Sequence, residues 1–180
     1  MPMNSLNQHL FLLFNADANA SALSIWLGRA LAEWPVPIAL LLVALACYRQ
    51  NDRRYFVWRT LFATALGMGI ALIMRCTIYN PRPFVLGLGR MLIEHDATTS
   101  FPSFHATFLF SLALPLFAQR NTRGTALAVL LLGLGIAWAR VFVGVHYPFD
   151  MAGAFITSAI AAVIACVVFR QPKAQFLPER

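Results

Sequence analysis

Long apolar runs, broken only by a few arginines, histidines and prolines, constrain the fold of this chain more than any other feature. The strongest cover Val57–Met74, Phe104–Ala118, Thr125–Phe142 and Phe149–Phe169. Runs of this kind read as helices inserted in a bilayer, where every backbone polar group must be satisfied within the segment. Composition agrees, since 59% of the 180 residues are hydrophobic and 12% are charged. A soluble domain carries about 25% charged residues. The expected fold is therefore an all-α integral membrane bundle. No composition break, Gly/Ser linker or repeat divides it, so residues 1–180 read as a single domain.

The weaker segments complete the count. Ala20–Tyr48 is apolar but contains Arg29, Glu33, Pro35 and Pro37. One straight helix holding two charges and two prolines in hydrocarbon is costly, so the segment reads as two short helices with a turn at Trp34–Pro37. A single tilted span is the alternative. Asn4–Asn15 places Leu6, Leu10, Leu13 and Phe14 on one helical stripe, which suits a short N-terminal interfacial helix. The expectation is thus about six transmembrane helices plus that surface helix. Met1–Ala20 lacks a basic n-region and a small-residue cleavage site, and does not read as a removed signal peptide. Cys47, Cys76 and Cys166 are widely spaced in or beside apolar runs and read as packing residues.

Charge gives the orientation. Arg49, Arg53, Arg54 and Arg59, then Arg120 and Arg123, then Arg170, Lys173 and Arg180 fall on one side of the six-span plan. The positive-inside rule makes that side cytoplasmic. Topology accounts for the net charge of +7, and no nucleic-acid partner is implied. Oligomeric state has no signature in the chain.

Three short pieces stand out at the ends of the runs: Arg75-x6-Arg82-Pro83, Pro102-Ser103-Phe104-His105 and Arg140-x5-His146-x3-Asp150. With alternating span direction all three emerge on the non-cytoplasmic side, and one or two spans in Ala20–Tyr48 leave that unchanged. An arginine or histidine beside hydrocarbon needs a partner or a task. Pro102 and Pro148 suit helix starts, and Ser103 is expected to cap the fourth span. Helix N-termini favour anions, and the guanidinium forks of Arg75, Arg82 and Arg140 fit phosphate oxygens. Asp150, one turn beyond His146, can hold one ring nitrogen as N–H and free the other to attack. His105 comes from another helix and suits a general acid.

These pieces resemble the type 2 phosphatidic acid phosphatase family, whose superfamily includes the vanadium haloperoxidases. The surroundings Asn80-Pro81-Arg82-Pro83-Phe84 and Gly144-Val145-His146-Tyr147-Pro148-Phe149-Asp150 resemble in particular the undecaprenyl-diphosphate phosphatases linked to bacitracin resistance. The resemblance implies a multi-pass enzyme of the bacterial inner membrane whose site faces the periplasm or outside. It would release phosphate from undecaprenyl diphosphate, needing no cofactor and no metal. His146 would form a phosphohistidine, Asp150 would orient it, and His105 would protonate the leaving lipid phosphate and then activate water. Arg75, Arg82, Ser103 and Arg140 would bind the transferred phosphoryl group. The chain departs from the pattern in three places. Arg75 stands where Lys is usual, Phe104 where Gly or Asp is common, and Ala139 where Ser often precedes the arginine.

Glu33, Arg90 and His95 are secondary candidates. Glu33 is placed to pair with a site arginine, Arg90 to meet a second phosphate, and His95 with Asp96 to touch the head group or a metal. Each also reads as an ordinary helix-end or loop residue. Four other readings stay open on sequence, among them a metal-dependent site built from His95, Asp96, His105, His146 and Asp150. Of the other three, one is a broader lipid phosphatase acting on phosphatidylglycerophosphate or phosphatidic acid, and another is a lipid phosphotransferase. The third is a non-enzymatic lipid-phosphate carrier, though a carrier has little use for a His–Asp pair at helical spacing.

Overall fold

Two prolines bend the first apolar segment. The computed structural model describes residues 5–49 and 53–170, in which helices α2 (Ala22–Glu33) and α3 (Pro35–Tyr48) meet at Trp34 with a 48° bend. Pro35 and Pro37 lack the N–H groups that would bond the preceding turn, and their rings crowd its carbonyls. The break expected at Trp34–Pro37 is there, but the chain does not reverse. The pair advances as one bent element, where two short spans running in opposite directions were expected.

The remaining helices are α1 (Ser5–Phe14), α4 (Arg53–Thr77), α5 (Phe104–Ala113), α6 (Arg123–Phe142) and α7 (Pro148–Val168). Among the described residues no strand occurs. Three helical stretches, Arg54–Thr77, Arg120–Phe142 and Pro148–Val168, are long and apolar enough to cross a membrane, and the bent pair is a fourth if it makes one crossing. α5 is shorter because Pro115 interrupts it. The chain tightens into a 3-10 turn over Leu114–Ala118, a geometry that absorbs the lost bond. Of the expected basic clusters, Lys173 and Arg180 lie outside the described residues, as does the Arg53 side chain.

α4, α5 and α7 pack on one another, and α6 packs on α5 and on the bent pair. Small residues allow the close approach. A Cβ at Gly67 would strike the Ser111 hydroxyl, and one at Gly133 would come 2.8 Å from the Phe110 ring. Hydroxyls stitch the same interface, with Ser111 Oγ donating to Ser158 Oγ at 3.0 Å and Ser158 Oγ donating to the Thr107 carbonyl at 3.0 Å. Close backbones and interhelical hydroxyls are the means by which helices associate where lipid is as apolar as the core.

α1 crosses the ends of α6 and α7. It buries Phe11 and Asn7, while Leu6, Leu13 and Phe14 of the expected stripe stay exposed and Leu10 is half-buried. Phe11 meets Tyr147 edge-on with ring centroids 5.5 Å apart, and the Phe149 N–H donates to Asn7 Oδ1 at 3.1 Å. Asn15, just after α1, donates from Nδ2 to the carbonyls of Arg90 and Phe142, each at 3.0 Å, and accepts from the Arg90 N–H at 2.7 Å. The first helix and the long α4–α5 connection are thereby pinned to the turn between α6 and α7. Gly144 in that turn has φ +85° and packs directly against the Arg90 carbonyl.

Candidate active site

The end of the bundle fixed by α1 gathers the three sequence pieces. Arg75 sits in the last turn of α4, Arg82 in the α4–α5 connection and Ser103 at the N-cap of α5. Arg140 sits in the last turn of α6, His146 in the α6–α7 turn and Asp150 in the first turn of α7. The Arg140 carbonyl accepts from the N–H groups of both Val145 and His146 at 3.2 Å, so one residue serves its side chain to the site and its backbone to the loop that carries His146. Pro148 occupies the first turn of α7 as expected, whereas Pro102 lies one residue before the α5 cap.

The hydrogen bonds define the tautomer of His146. Its Nδ1 lies 3.1 Å from Asp150 Oδ2 and its Nε2 lies 3.2 Å from Arg82 Nη1. A guanidinium only donates, so Nε2 accepts and carries the lone pair, and the ring proton is on Nδ1, donated to Asp150. Burial holds His146 well below the ordinary histidine range, reinforced by the charges of Arg82, Arg140, His95 and Arg75. Asp150 is gripped on both oxygens. Oδ2 also accepts from the Tyr147 N–H at 2.9 Å, while Asn80 Nδ2 and Ser100 Oγ each donate to Oδ1 at 3.4 Å. Asn80 Nδ2 in turn donates to Ser100 Oγ at 2.8 Å.

The arginines divide by their partners. Arg82 is 2% exposed and uses all three nitrogens on the Thr98, Thr99 and Val145 carbonyls, the Thr98 hydroxyl and His146. Burial, then Arg75 and Arg140, lowers it to about 10, so it remains charged at neutral pH. Arg75 donates to the carbonyls of Ser100 and Pro102, and the Thr98 hydroxyl accepts from both Arg75 and Arg82 at 3.3 Å. Arg140 differs. It is 3% exposed, and its Nε and Nη2 have no partner. The Ser103 hydroxyl is likewise buried and unpartnered. Ser103 takes the N-cap position without making the side-chain cap expected of it.

His105 lines an apolar cavity of about 480 Å³ with Glu33, Val36, Pro37, Met68, Phe104 and Phe108. It lies within reach of the charges of Arg140, His95 and Arg82. The His95 ring lies 6.4 Å from that of His146 and edge-on to it.

Residues 56–175 match the family model of the PAP2 superfamily. This chain belongs to that superfamily. It is 32% identical over 170 residues to the Escherichia coli (strain K12) protein named "Putative undecaprenyl-diphosphatase YbjG", covering 93% of this chain and 85% of that one. It is 30% identical over 135 residues to undecaprenyl-diphosphatase BcrC of Bacillus subtilis (strain 168), covering 75% and 67% respectively. The fold resembles the crystal structure of Aquifex aeolicus LpxE, with a TM-score of 0.71 at 21% identity, over 90% of this chain and 95% of that one.

Within this PAP2 chain the secondary candidates part ways. Arg90 faces away from the cluster and donates to the Asp17 carbonyl at 3.2 Å. Glu33 makes no ion pair among the described residues, though its charge acts on Arg140. His95 joins the site, while Asp96 is exposed. Two of the three departures from the family pattern touch each other, since the Arg75 guanidinium lies 4.5 Å from the centre of the Phe104 ring. Ala139 is fully buried beside Val143 and Val145, where a serine would need a partner. Sequence reasoning missed Thr98, Asn80 and Ser100 as supports. The signals for them were the polar run Thr98-Thr99-Ser100 before the second motif and, for Asn80, its place two residues before Arg82.

Proposed function

We propose that this protein hydrolyses undecaprenyl diphosphate to undecaprenyl phosphate and inorganic phosphate, through a phosphohistidine on His146, at the outer face of the bacterial inner membrane. The observation that carries the reading is that Arg140 Nε and Nη2 and Ser103 Oγ, gathered at the same end of the bundle as His146, are buried donors without acceptors. A buried unpaired donor costs about 1–3 kcal/mol, more when charged, and a phosphoryl oxygen supplies the acceptor. The names of the relatives support the diphosphate lipid as substrate.

The terminal phosphoryl group sits against Arg140 and Ser103, and its oxygens compete for the donors of Arg82. As Arg82 turns to phosphate, the Nε2 lone pair is released and forms the N–P bond. The bond from phosphorus to the bridging oxygen breaks, and its electron pair leaves on the lipid phosphate. His105, which takes up a proton as the negatively charged diphosphate binds beside it, donates that proton to the departing oxygen. Nδ1 keeps its proton, donated in the hydrogen bond to the Asp150 carboxylate, whose charge balances the positive ring. Arg75, Arg82 and Arg140 oppose the charge spread over the equatorial oxygens. The apolar cavity beside His105 receives the first part of the lipid chain. Water then cleaves the N–P bond.

Topology supports the outer face. Counting the bent pair once, and α5 with its 3-10 turn as one, five elements run between two ends. Arg49, Arg54, Arg120 and Arg123 lie at one end and the site at the other, and the positive-inside rule favours the cytoplasm for the basic end, which supports an outward-facing site.

Phosphate release by purified protein from undecaprenyl diphosphate, phosphatidylglycerophosphate and phosphatidic acid tests the proposal. The diphosphate is expected to be preferred, vanadate to inhibit as a trigonal-bipyramidal mimic, and EDTA to have no effect. His146→Ala is expected to lose activity by a factor on the order of 10³ or more while still binding substrate. A preference for either glycerolipid overturns the substrate, and EDTA-sensitive activity restored by a divalent metal overturns the mechanism.

A further inference from the structure

His105 and His95 face different surroundings. His105 lines the apolar cavity with Val36, Met68 and Phe108, the side on which a lipid leaving group departs. His95 instead lines a polar cavity of about 490 Å³ with Glu94 and Asp96, both exposed. Water reaches the site through polar surroundings more readily than through a slot built for hydrocarbon. The two histidines therefore open onto different cavities, His105 onto an apolar one and His95 onto a polar one.

The tautomer of His95 fits that position. Its Nδ1 lies 3.1 Å from the Asp96 carbonyl oxygen. A carbonyl oxygen only accepts, so Nδ1 carries the proton and Nε2 the lone pair. Among the described residues Nε2 has no protein partner. Its ring is 6.4 Å from that of His146, close enough for one water beside the phosphorylated nitrogen to bridge the two. Partial burial and the charge of Arg82 hold His95 below the ordinary histidine range, so it is an unprotonated base at neutral pH.

We infer that His95 is the general base of the second half-reaction, activating the water that hydrolyses the phosphohistidine, while His105 serves the first. In this step the water oxygen attacks phosphorus as His95 Nε2 removes one of its protons. The N–P bond breaks, its electron pair returns to His146 Nε2, and inorganic phosphate leaves. The proton gained by His95 and the one lost by His105 balance over a turnover through solvent exchange. The inference rests on the phosphohistidine reading, and it divides between two residues the roles that family resemblance assigns to His105 alone.

Rapid-quench measurement with the diphosphate substrate labelled in its terminal phosphate tests it, since the phosphoenzyme burst and steady turnover are read separately. In His95→Gln and His95→Asn the burst rate is expected to stay within about threefold of wild type. Turnover is expected to fall about 10²-fold, the lower range for a lost general base, and phosphoenzyme to accumulate. Added imidazole is expected to restore turnover in His95→Ala. Unchanged turnover, or burst and turnover falling together, overturns the inference. So does loss of vanadate binding in both His95→Gln and His95→Asn, because that assigns His95 to binding or structure. If wild type turns over without any phosphoenzyme, or His146→Ala stays active, the underlying reading fails instead.

Discussion

Arg82 and His146 are linked by one hydrogen bond that sets the chemistry of both. Donation from Arg82 Nη1 to Nε2 is possible only while the ring nitrogen is unprotonated, so the guanidinium favours the nucleophilic form of the histidine. Burial acts in the same direction and is the larger cause, with Arg82 next. Two expectations follow for an NMR titration of histidine-labelled protein in nanodiscs. The His146 ring stays neutral with Nδ1 protonated from pH 8 to pH 6, and in Arg82→Ala its midpoint rises toward the ordinary value of about 6.5. A wild-type midpoint at or above that value would sink the assignment. The Arg75–Phe104 contact carries a second residue-scale expectation. A planar guanidinium stacks on a ring where an ammonium does so less well, so Arg75 and Phe104 suit each other as a pair. A double-mutant cycle of Arg75→Lys and Phe104→Ala on kcat/KM is expected to show coupling of about 0.5–2 kcal/mol. Strict additivity would mean the two departures are unrelated.

At the scale of elements, the α6–α7 turn positions His146, and Gly144 makes the turn. Its φ of +85° is strained for any residue with a side chain, and a Cβ there would drive into the Arg90 carbonyl. Gly144→Ala is expected to cost about 2–4 kcal/mol in unfolding experiments in detergent, from left-handed strain plus the backbone clash. Gly69→Ala is the control. That glycine is helical with open space around it, so alanine is expected to be neutral or to stabilise by up to about 1 kcal/mol. A stability loss at Gly144 no larger than at Gly69 would contradict the account. The helices themselves were legible in the sequence, because apolar length and proline placement report local physics. The motif residues were legible because each stands at the end of an apolar run. The supports were not. Asn7 meets Phe149 across 142 positions and Asn15 meets Arg90 across 75, and no periodicity in a single chain records which loop residues meet. The bend at Trp34 was legible as a break but not as an angle, since proline removes bonds without stating where the next turn points. Ser103 takes the N-cap position that its sequence context indicates, but not the side-chain bond. Its hydroxyl has no partner within the helix.

For the molecule as a whole, the question is which end of the bundle faces which side of the membrane, and how often the chain crosses. The exterior is apolar, with Leu23 72% and Val167 69% exposed, as lipid contact requires. Exposed aromatics mark both ends, Tyr48 and Trp58 beside the basic connection and Trp26 and Tyr79 toward the site. α1 distinguishes the two crossing counts. With six spans and an antiparallel pair in Ala20–Tyr48, α1 would lie at the end opposite the site. Its bonds to Phe149, and those of Asn15 to Arg90, instead put it at the same end, which the single bend requires. Impermeant maleimide on intact cells reads this directly. In a background with Cys47, Cys76 and Cys166 replaced, single cysteines would be introduced at His9→Cys, Asp96→Cys and Arg120→Cys, all exposed positions. His9→Cys and Asp96→Cys are expected to label before permeabilisation, and Arg120→Cys only after it. If Asp96→Cys labels but His9→Cys is protected, the chain crosses six times and the bent pair reverses in the membrane. If Arg120→Cys alone labels, the site faces the cytoplasm. The proposed function would then have to change as well, because a diphosphate lipid left at the outer surface could not be reached from within.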